Sequence, residues 1–196
     1  QIADLQAILV AYDWEKVHVL GYSMGGRLAL GFAIAHPERV ASLILESATA
    51  GIPAVADRVA RRQADAAKAA HIKQDFPSFV KAWEALPLFA SQQQLPAQQQ
   101  QQMRQQRLQQ RPENVAQSLI GMGTGVQPNF WPKLAEVTVK TLLIVGEKDV
   151  KFNHLADKML QQLPNAQKAV IADAGHNVHF EQPNQVIARL KAHVSR

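Results

Sequence analysis

The sequence predicts an α/β protein in which a mostly parallel sheet is interrupted by an inserted helical segment. Residues 1–50 and 127–196 alternate helical patterns with short apolar runs, and such alternation is typical of parallel sheets flanked by helices. Between them, residues 51–126 are rich in Ala, Gln and Arg and have few β-branched runs. We therefore expect a core made of the first and third parts, with the middle part as a helical cap.

In residues 1–50, the second predicted helix ends at a clear stop signal. Proline cannot continue a helix, so His36-Pro37 closes the helical pattern that precedes it. The predicted elements are a helix through Ile2, Leu5 and Leu9, a strand over Val17 to Leu20, a helix over Gly25 to Ala35 and a strand over Val40 to Leu45.

The middle and third parts differ sharply in character. The segment Gln92 to Gln110 holds 12 Gln in 19 residues, which is compatible with either a solvated helix or a mobile loop. In the third part, the predicted elements are a strand over Thr141 to Val145, a helix over Asn153 to Leu163, a strand over Ala169 to Ala172 and a helix over Pro183 to Val194.

Composition excludes several classes of protein. The 196 residues are 47% hydrophobic and contain no Cys, so disulfides, a thiolate nucleophile and Cys-based zinc sites are excluded. No apolar run is long enough to span a bilayer, and we expect a cytoplasmic protein. The chain begins at Gln1 without a signal-peptide pattern. We expect it to start within a longer protein and to lack the N-terminal part of the core.

The net charge of +5 is confined to one segment. Residues 51–111 carry nine basic and four acidic side chains, whereas the rest of the chain is neutral. This pattern indicates either an anionic small-molecule partner or a solvated helix surface. Nucleic acid is not expected as a partner, because the basic residues are not interleaved with aromatic ones and no nucleic-acid-binding motif is present. The sequence predicts neither a cofactor nor a particular oligomeric state.

A serine stands between a predicted strand and a predicted helix, in Gly21-Tyr22-Ser23-Met24-Gly25. A nucleophile elbow has this form: small residues two positions before and after the serine let strand and helix approach, while a strained turn raises the hydroxyl. The alternative is a glycine-rich turn that binds nothing. If the elbow forms, the backbone N–H of Met24 is one oxyanion-hole donor, and the sequence offers no candidate for the second.

A serine nucleophile needs a base and an orienting carboxylate, and both follow in the required order. Asp149 comes after one predicted strand and His176 after the next, at the strand ends where catalytic groups of open α/β sheets converge. The order Ser, Asp, His is that of α/β-hydrolases. Glu46, at the end of an earlier strand, is the rival acid. A metal site at His176 and His179 is not expected, because no further ligand spacing supports it.

Five motifs indicate a particular family within the α/β-hydrolase fold. They are Gly21-Tyr22-Ser23-Met24-Gly25-Gly26-Arg27, Arg58-Val59-Ala60-Arg61-Arg62, Trp83 with Leu88-Phe89-Ala90-Ser91, Gly146-Glu147-Lys148-Asp149-Val150-Lys151-Phe152, and Ala174-Gly175-His176-Asn177-Val178-His179. Together they resemble the 2-succinyl-6-hydroxy-2,4-cyclohexadiene-1-carboxylate synthases of menaquinone biosynthesis, over essentially the whole chain. In that family the triad removes a ring proton and eliminates pyruvate instead of hydrolysing an ester.

The resemblance implies roles for individual residues. Ser23 would be the activated oxyanion or its relay, His176 the base, and Asp149 the group that fixes the histidine tautomer. The residues implied in substrate binding are Arg27, Arg61 and Arg107, which would bind carboxylates, and Tyr22 and Trp83, which would be pocket walls. Arg104 or Arg111 could stand in place of Arg107.

Three functions are compatible with these residues. The first is the pyruvate-eliminating lyase. The second is a serine hydrolase of the same fold acting on an ester or a carbon–carbon bond. The third is a ligand receptor without catalysis, which the intact Ser23, Asp149 and His176 argue against, because binding alone does not require a triad.

Overall fold

The structure is a computed structural model that describes residues 1–195. The chain divides into two compact units. The core unit comprises Gln1–Ala50 and the residues from Phe130 onward, and the helical unit comprises Gly51–Asn129. The helical unit therefore ends three residues beyond the predicted cap boundary at 126. The backbone explains the later boundary, because Gly51 lies close to the Pro128 carbonyl, whereas Phe130 donates a hydrogen bond to Ala50.

The core unit alternates helices and strands, as the sequence predicts. Its elements are α1 (Ile2–Ala11), β1 (Val17–Tyr22), α2 (Met24–Ala35), β2 (Val40–Glu46), β3 (Thr141–Gly146), α7 (Val150–Leu160), β4 (Ala166–Ile171), α8 (Val178–Glu181) and α9 (Pro183–Val194). Compared with the prediction, α7 begins earlier because the side chain of Asp149 caps it, accepting a hydrogen bond from the Phe152 N–H. β4 also begins earlier, at Ala166.

All four strands of the described sheet run parallel, in the order β1-β2-β3-β4. The register pairs Tyr22 with Glu46, Glu46 with Ile144, and Gly146 with Ile171. The carboxyl ends of the strands therefore lie along one edge, so the residues that follow them lie close together.

Apolar side chains cover both faces of the sheet. Leu43 and Leu143 pack on one face with Leu30 of α2, whereas Ile44 and Ile144 pack on the other in the same cluster as residues of α8 and α9. This alternation follows the two-residue period of a strand. Because β2 and β3 are buried on both faces, they read as continuous apolar runs in the sequence.

The helical unit has a core of its own. Its α-helices are α3 (Val55–Gln74), α4 (Phe76–Glu84), α5 (Ala97–Leu108) and α6 (Pro112–Met122). Ile72, Phe79 and Ala116 belong to one buried cluster. The glutamine-rich segment forms the end of a 3₁₀ helix (Pro87–Gln94) and then α5, where Met103 is the buried residue. No helix among residues 1–195 combines the length and apolar character needed to cross a membrane.

Candidate active site

Ser23 occupies a strained turn between β1 and α2. Its φ is 49° and its ψ is −105°, a positive-φ conformation that costs a non-glycine residue about 1–3 kcal/mol. Its backbone N–H donates to the Glu46 carbonyl at 2.8 Å, which fixes the turn to the neighbouring strand. Such strain is characteristic of functional positions, and here it gives the geometry of a nucleophile elbow.

The glycines of this turn are not equivalent. A Cβ added at Gly21 would stand 2.3 Å from the Gly25 carbonyl oxygen, and one at Gly26 would stand 2.6 Å from the Cβ of Ala48. In contrast, a Cβ at Gly25 would meet no atom within 4 Å. The expectation that both motif glycines let strand and helix approach is therefore correct for Gly21 and wrong for Gly25, where the close contact falls instead on Gly26.

Asp149 follows β3 and is fixed by the helix that it caps. One side-chain oxygen accepts from the Phe152 N–H at 3.1 Å, and the side-chain amide of Asn153 donates to the carbonyls of Gly146 and Asp149 at 2.7 and 3.0 Å. Asn153 is a residue that the sequence analysis missed. Its position four residues after Asp149, one helical turn further on, is the only signal for it in the sequence, and that spacing does not distinguish it from an asparagine that faces solvent.

His176 links the serine to the aspartate. Its Nδ1 lies 2.7 Å from Oδ2 of Asp149, and its Nε2 lies 3.0 Å from Oγ of Ser23. An ionised carboxylate only accepts hydrogen bonds, so Nδ1 carries the proton and Nε2 is left to accept from the serine hydroxyl. His176 is only 2% exposed, and the ring of Phe152 lies 4.5 Å from its own. The three predicted triad residues are thus brought together.

The rival acid, Glu46, has a different partner. It is fully buried, and its carboxylate accepts from the backbone N–H of His179 at 3.0 Å and from Nδ1 of the same residue at 2.9 Å. The hydrogen bond to Glu46 raises the pKa of His179 above its usual 6.5, against the opposing effect of partial burial. Among residues 1–195, no group of three or more acidic or histidine side chains could hold a metal ion.

The remaining predicted residues of the core unit surround the elbow. Met24 is the first residue of α2, so its N–H belongs to the first turn, where helical N–H groups have no intrahelical acceptor. The ring of Tyr22 lies 5.4 Å from that of His176 and 5.1 Å from that of His179. Arg27 lies one turn into α2, with its N–H donating to the Ser23 carbonyl.

The predicted binding residues of the helical unit lie in two charged clusters. In the first, Nε of Arg61 is held by Asp65 at 2.8 Å, and the same carboxylate also pairs with Lys68. In the second, Arg107 donates to Glu84 and to Gln92, both at 2.9 Å. These are the acidic partners that a solvated-surface interpretation also predicts.

Two cations share one carboxylate in both clusters. Arg61 and Lys68 share Asp65, while Arg104 and Arg107 share Glu84. One positive charge is therefore left over in each cluster. The second cluster includes aromatic rings, since Arg107 lies over Phe89, whose ring is 5.6 Å from that of Trp83. Arg111, the other alternative to Arg107, lies at the start of α6 and is exposed.

The geometry of the core unit defines a class of protein. A serine in a strand-to-helix turn, followed along the chain by an aspartate and a histidine after later parallel strands, is the triad arrangement of α/β-hydrolases. The family model described as "alpha/beta hydrolase fold" matches residues 1–183. The chain belongs to that family.

Relatives narrow the assignment within the fold. A Bacillus subtilis (strain 168) protein assigned as a 2-succinyl-6-hydroxy-2,4-cyclohexadiene-1-carboxylate synthase is 42% identical, over 93% of this chain and 67% of that protein. The synthase of Salmonella paratyphi B is 32% identical, over 95% of this chain and 71% of that protein. Among α/β-hydrolases, the chain is therefore related to these synthases.

Solved structures agree with this relationship. MenH from S. aureus superposes with a TM-score of 0.95 at 40% identity, covering 99% of this chain and 73% of that one. A thermophilic esterase from Thermogutta terrifontis superposes with a TM-score of 0.85 at 27% identity, covering 99% of this chain and 70% of that one. The similarity in sequence is greater to MenH than to the esterase.

Proposed function

We propose that this protein is a lyase that eliminates pyruvate from 2-succinyl-5-enolpyruvyl-6-hydroxy-3-cyclohexene-1-carboxylate to give 2-succinyl-6-hydroxy-2,4-cyclohexadiene-1-carboxylate. The observation that carries the proposal is the continuous hydrogen-bond chain from Ser23 through His176 to Asp149. It occurs in a chain that is 42% identical to an assigned synthase of that product.

The reaction needs a base and a way to stabilise negative charge. Substrate and product differ by loss of the ring proton at carbon 2 and of the enolpyruvyl group at carbon 5, with the double bond moving into conjugation. The succinyl carbonyl beside carbon 2 makes that proton acidic, because the electron pair left behind is delocalised onto the carbonyl oxygen. Cleavage of the carbon–oxygen bond at carbon 5 then releases enolpyruvate, which becomes pyruvate when it takes up a proton.

The triad supplies the base. Nε2 of His176 takes the hydroxyl proton of Ser23, so that the serine oxygen removes the ring proton directly or acts as its relay. Asp149 holds the imidazole in the tautomer that leaves Nε2 free of a proton and stabilises the imidazolium that forms. In this mechanism the N–H of Met24, at the start of α2, donates to the oxygen that becomes negative.

The charged clusters of the helical unit supply carboxylate recognition. Arginine is always protonated and binds carboxylates through two parallel hydrogen bonds. In Arg61 the contact with Asp65 uses Nε, which orients the guanidinium while leaving its terminal nitrogens for a ligand. Arg27 and Arg107 complete the proposed set, and an anionic small molecule is the partner that this charge distribution favours.

A serine hydrolase is the second candidate function. The observation that favours it is the superposition of an esterase at 27% identity with a TM-score of 0.85, since the same triad would serve ester hydrolysis. Hydrolysis of a neutral ester has no need for two clusters with surplus positive charge.

We also propose a cytoplasmic location, which the absence of cysteine supports and which cell fractionation would test.

Turnover of two substrates distinguishes these functions. Pyruvate release from the enolpyruvyl substrate is measured beside hydrolysis of a neutral aryl ester, for the native protein and for Ser23→Ala. We expect pyruvate release by the native protein, and in Ser23→Ala a loss of several orders of magnitude with substrate binding retained, because the hydroxyl is the reactive group. Near-native activity of the alanine variant would refute the triad mechanism, and ester hydrolysis without pyruvate release would favour the hydrolase.

A further inference from the structure

Glu181 has a buried carboxylate that the triad mechanism does not use. It lies at the end of α8, five residues after His176, and is 8% exposed. Its two oxygens face the preceding loop, residues 172–177, which carries His176. Oε2 accepts from the Gly175 N–H at 2.7 Å and Oε1 accepts from the Asn177 N–H at 3.2 Å. One carboxylate thus binds the backbone on both sides of the histidine.

No cation compensates this buried charge within residues 1–195, since Glu181 has no ion pair there. Burying an unpaired carboxylate is costly unless N–H groups hold it. Hydrogen bonds from N–H groups to a charged acceptor are stronger than those between neutral groups. The carboxylate and the loop therefore depend on each other: the loop supplies the two donors, and Glu181 fixes the positions of those donors.

The loop is also closely packed on its other side. A Cβ at Gly146, the last residue of β3, would stand 2.1 Å from the Gly175 carbonyl oxygen. The backbone of Lys148 donates to the Ala174 carbonyl at 2.8 Å. The loop is thus held between the segment that leads to Asp149 and the carboxylate of Glu181. His176 itself lies in neither a helix nor a strand, so these contacts determine where its ring stands.

We propose that Glu181 is a positioning residue, which holds the backbone on both sides of His176 so that the imidazole stays within hydrogen-bond distance of Ser23. The inference rests on the triad of the proposed function but not on the lyase substrate. It predicts that weakening the two hydrogen bonds of Glu181 slows any reaction of Ser23 that needs His176 as its base.

Glu181→Gln is the most direct test. The amide of Gln has the same shape but replaces one acceptor oxygen with a donor NH₂ group, which would face a backbone N–H. One hydrogen bond is lost and two donors oppose each other, so the loop must shift. A displacement of about 1 Å in a catalytic group costs about 10²-fold in rate.

The first measurement is the rate at which a fluorophosphonate labels Ser23, read by intact mass. The serine oxygen attacks phosphorus and displaces fluoride, a step that needs His176 but no lyase substrate. For Glu181→Gln we expect labelling at least tenfold slower, at a temperature where circular dichroism shows the variant folded. Labelling at the native rate would overturn the proposal.

Two control variants separate positioning from general loss of stability. Val186→Ala removes methyl groups from the buried cluster that includes Ala174 and Val178 without touching a hydrogen bond of the loop. Glu147→Gln changes an exposed carboxylate that binds the Asp173 N–H, where water can replace the bond. Both should label within about twofold of the native protein, and equal slowing in Val186→Ala would assign the effect to packing and overturn the proposal.

The second measurement observes the histidine without any reaction. A proton shared between Nδ1 of His176 and Asp149 gives a resonance far downfield in the proton NMR spectrum. We expect this signal to broaden or move in Glu181→Gln and to stay unchanged in both controls. An unchanged signal in Glu181→Gln would contradict the proposal even if the native protein proved to be no lyase, so the two proposals fail separately.

Discussion

The glycines of the nucleophile elbow allow one substitution to be compared at two positions of the same turn. Gly21→Ala places a methyl group 2.3 Å from the Gly25 carbonyl oxygen and 2.5 Å from the Gly26 nitrogen. Both atoms belong to the backbone of the first turn of α2, so no side chain can move aside. Gly25→Ala places the same methyl group where no atom lies within 4 Å.

The expected magnitudes follow from these distances. At Gly21 the contact is about 1 Å shorter than an ordinary van der Waals contact, so β1 and α2 must separate by a comparable distance. Overpacking of this kind costs about 1–3 kcal/mol of stability, and a displacement of Ser23 by about 1 Å lowers the rate by about 10²-fold. At Gly25, within a helix, alanine should instead stabilise the protein by about 0.5–1 kcal/mol.

Thermal melts and fluorophosphonate labelling of Ser23 measure both effects in the same preparations. We expect Gly21→Ala to melt at a lower temperature and to label about 10²-fold more slowly, while Gly25→Ala melts at or above the native temperature and labels at a near-native rate. The reasoning is refuted if Gly21→Ala labels normally, or if Gly25→Ala loses as much as Gly21→Ala.

Two further predictions concern charge. The pKa of His179 is raised by Glu46, so the contribution of this pair to the free energy of unfolding is present below pH 6.5 and is lost as pH rises through the raised pKa. Urea unfolding of His179→Gln should show a smaller loss of stability over that pH range than the native protein. An equal loss in the variant would contradict this prediction. Arg61→Ala should lower kcat/KM for the enolpyruvyl substrate by the equivalent of about 2–5 kcal/mol and leave that for a neutral aryl ester unchanged. The guanidinium of Arg62 binds the Gly125 carbonyl, so Arg62→Ala should change neither value. Equal losses on both substrates in Arg61→Ala would exclude a charge effect.

The triad could be predicted from the sequence because its signals are local. A strand, a Gly-x-Ser-x-Gly turn and a helix identify Ser23, and the two later strand ends identify Asp149 and His176. Position in the fold and the surrounding motif favoured Asp149 over Glu46, and the hydrogen bonds of the structure agree with that choice. Most elements of the core unit were likewise predictable from apolar periodicity, with errors at their ends, but the short helix α8 was missed.

Residues that act through the backbone could not be predicted in this way. Asn153 and Glu181 bind carbonyl and N–H groups whose positions depend on the conformation of a loop, and composition carries no signal for that conformation. The glutamine-rich segment was ambiguous for a related reason. Its polar residues suit either a helix or a loop, and the burial of the single side chain of Met103 in α5 is set by tertiary packing.

Glu46 and Asp149 bind different histidines, and the positions of the two acids in the fold explain why they do not exchange partners. Glu46 lies beside Tyr22 in the register and holds the Ser23 turn through its own carbonyl. Its carboxylate, fully buried, is already occupied by two donors of His179. To serve His176, Glu46 would have to give up both hydrogen bonds from His179, and a hydrogen bond to a charged group contributes about 1.5–3 kcal/mol. Asp149 accepts from the Phe152 N–H at the start of α7 with one oxygen, and its other oxygen accepts from His176.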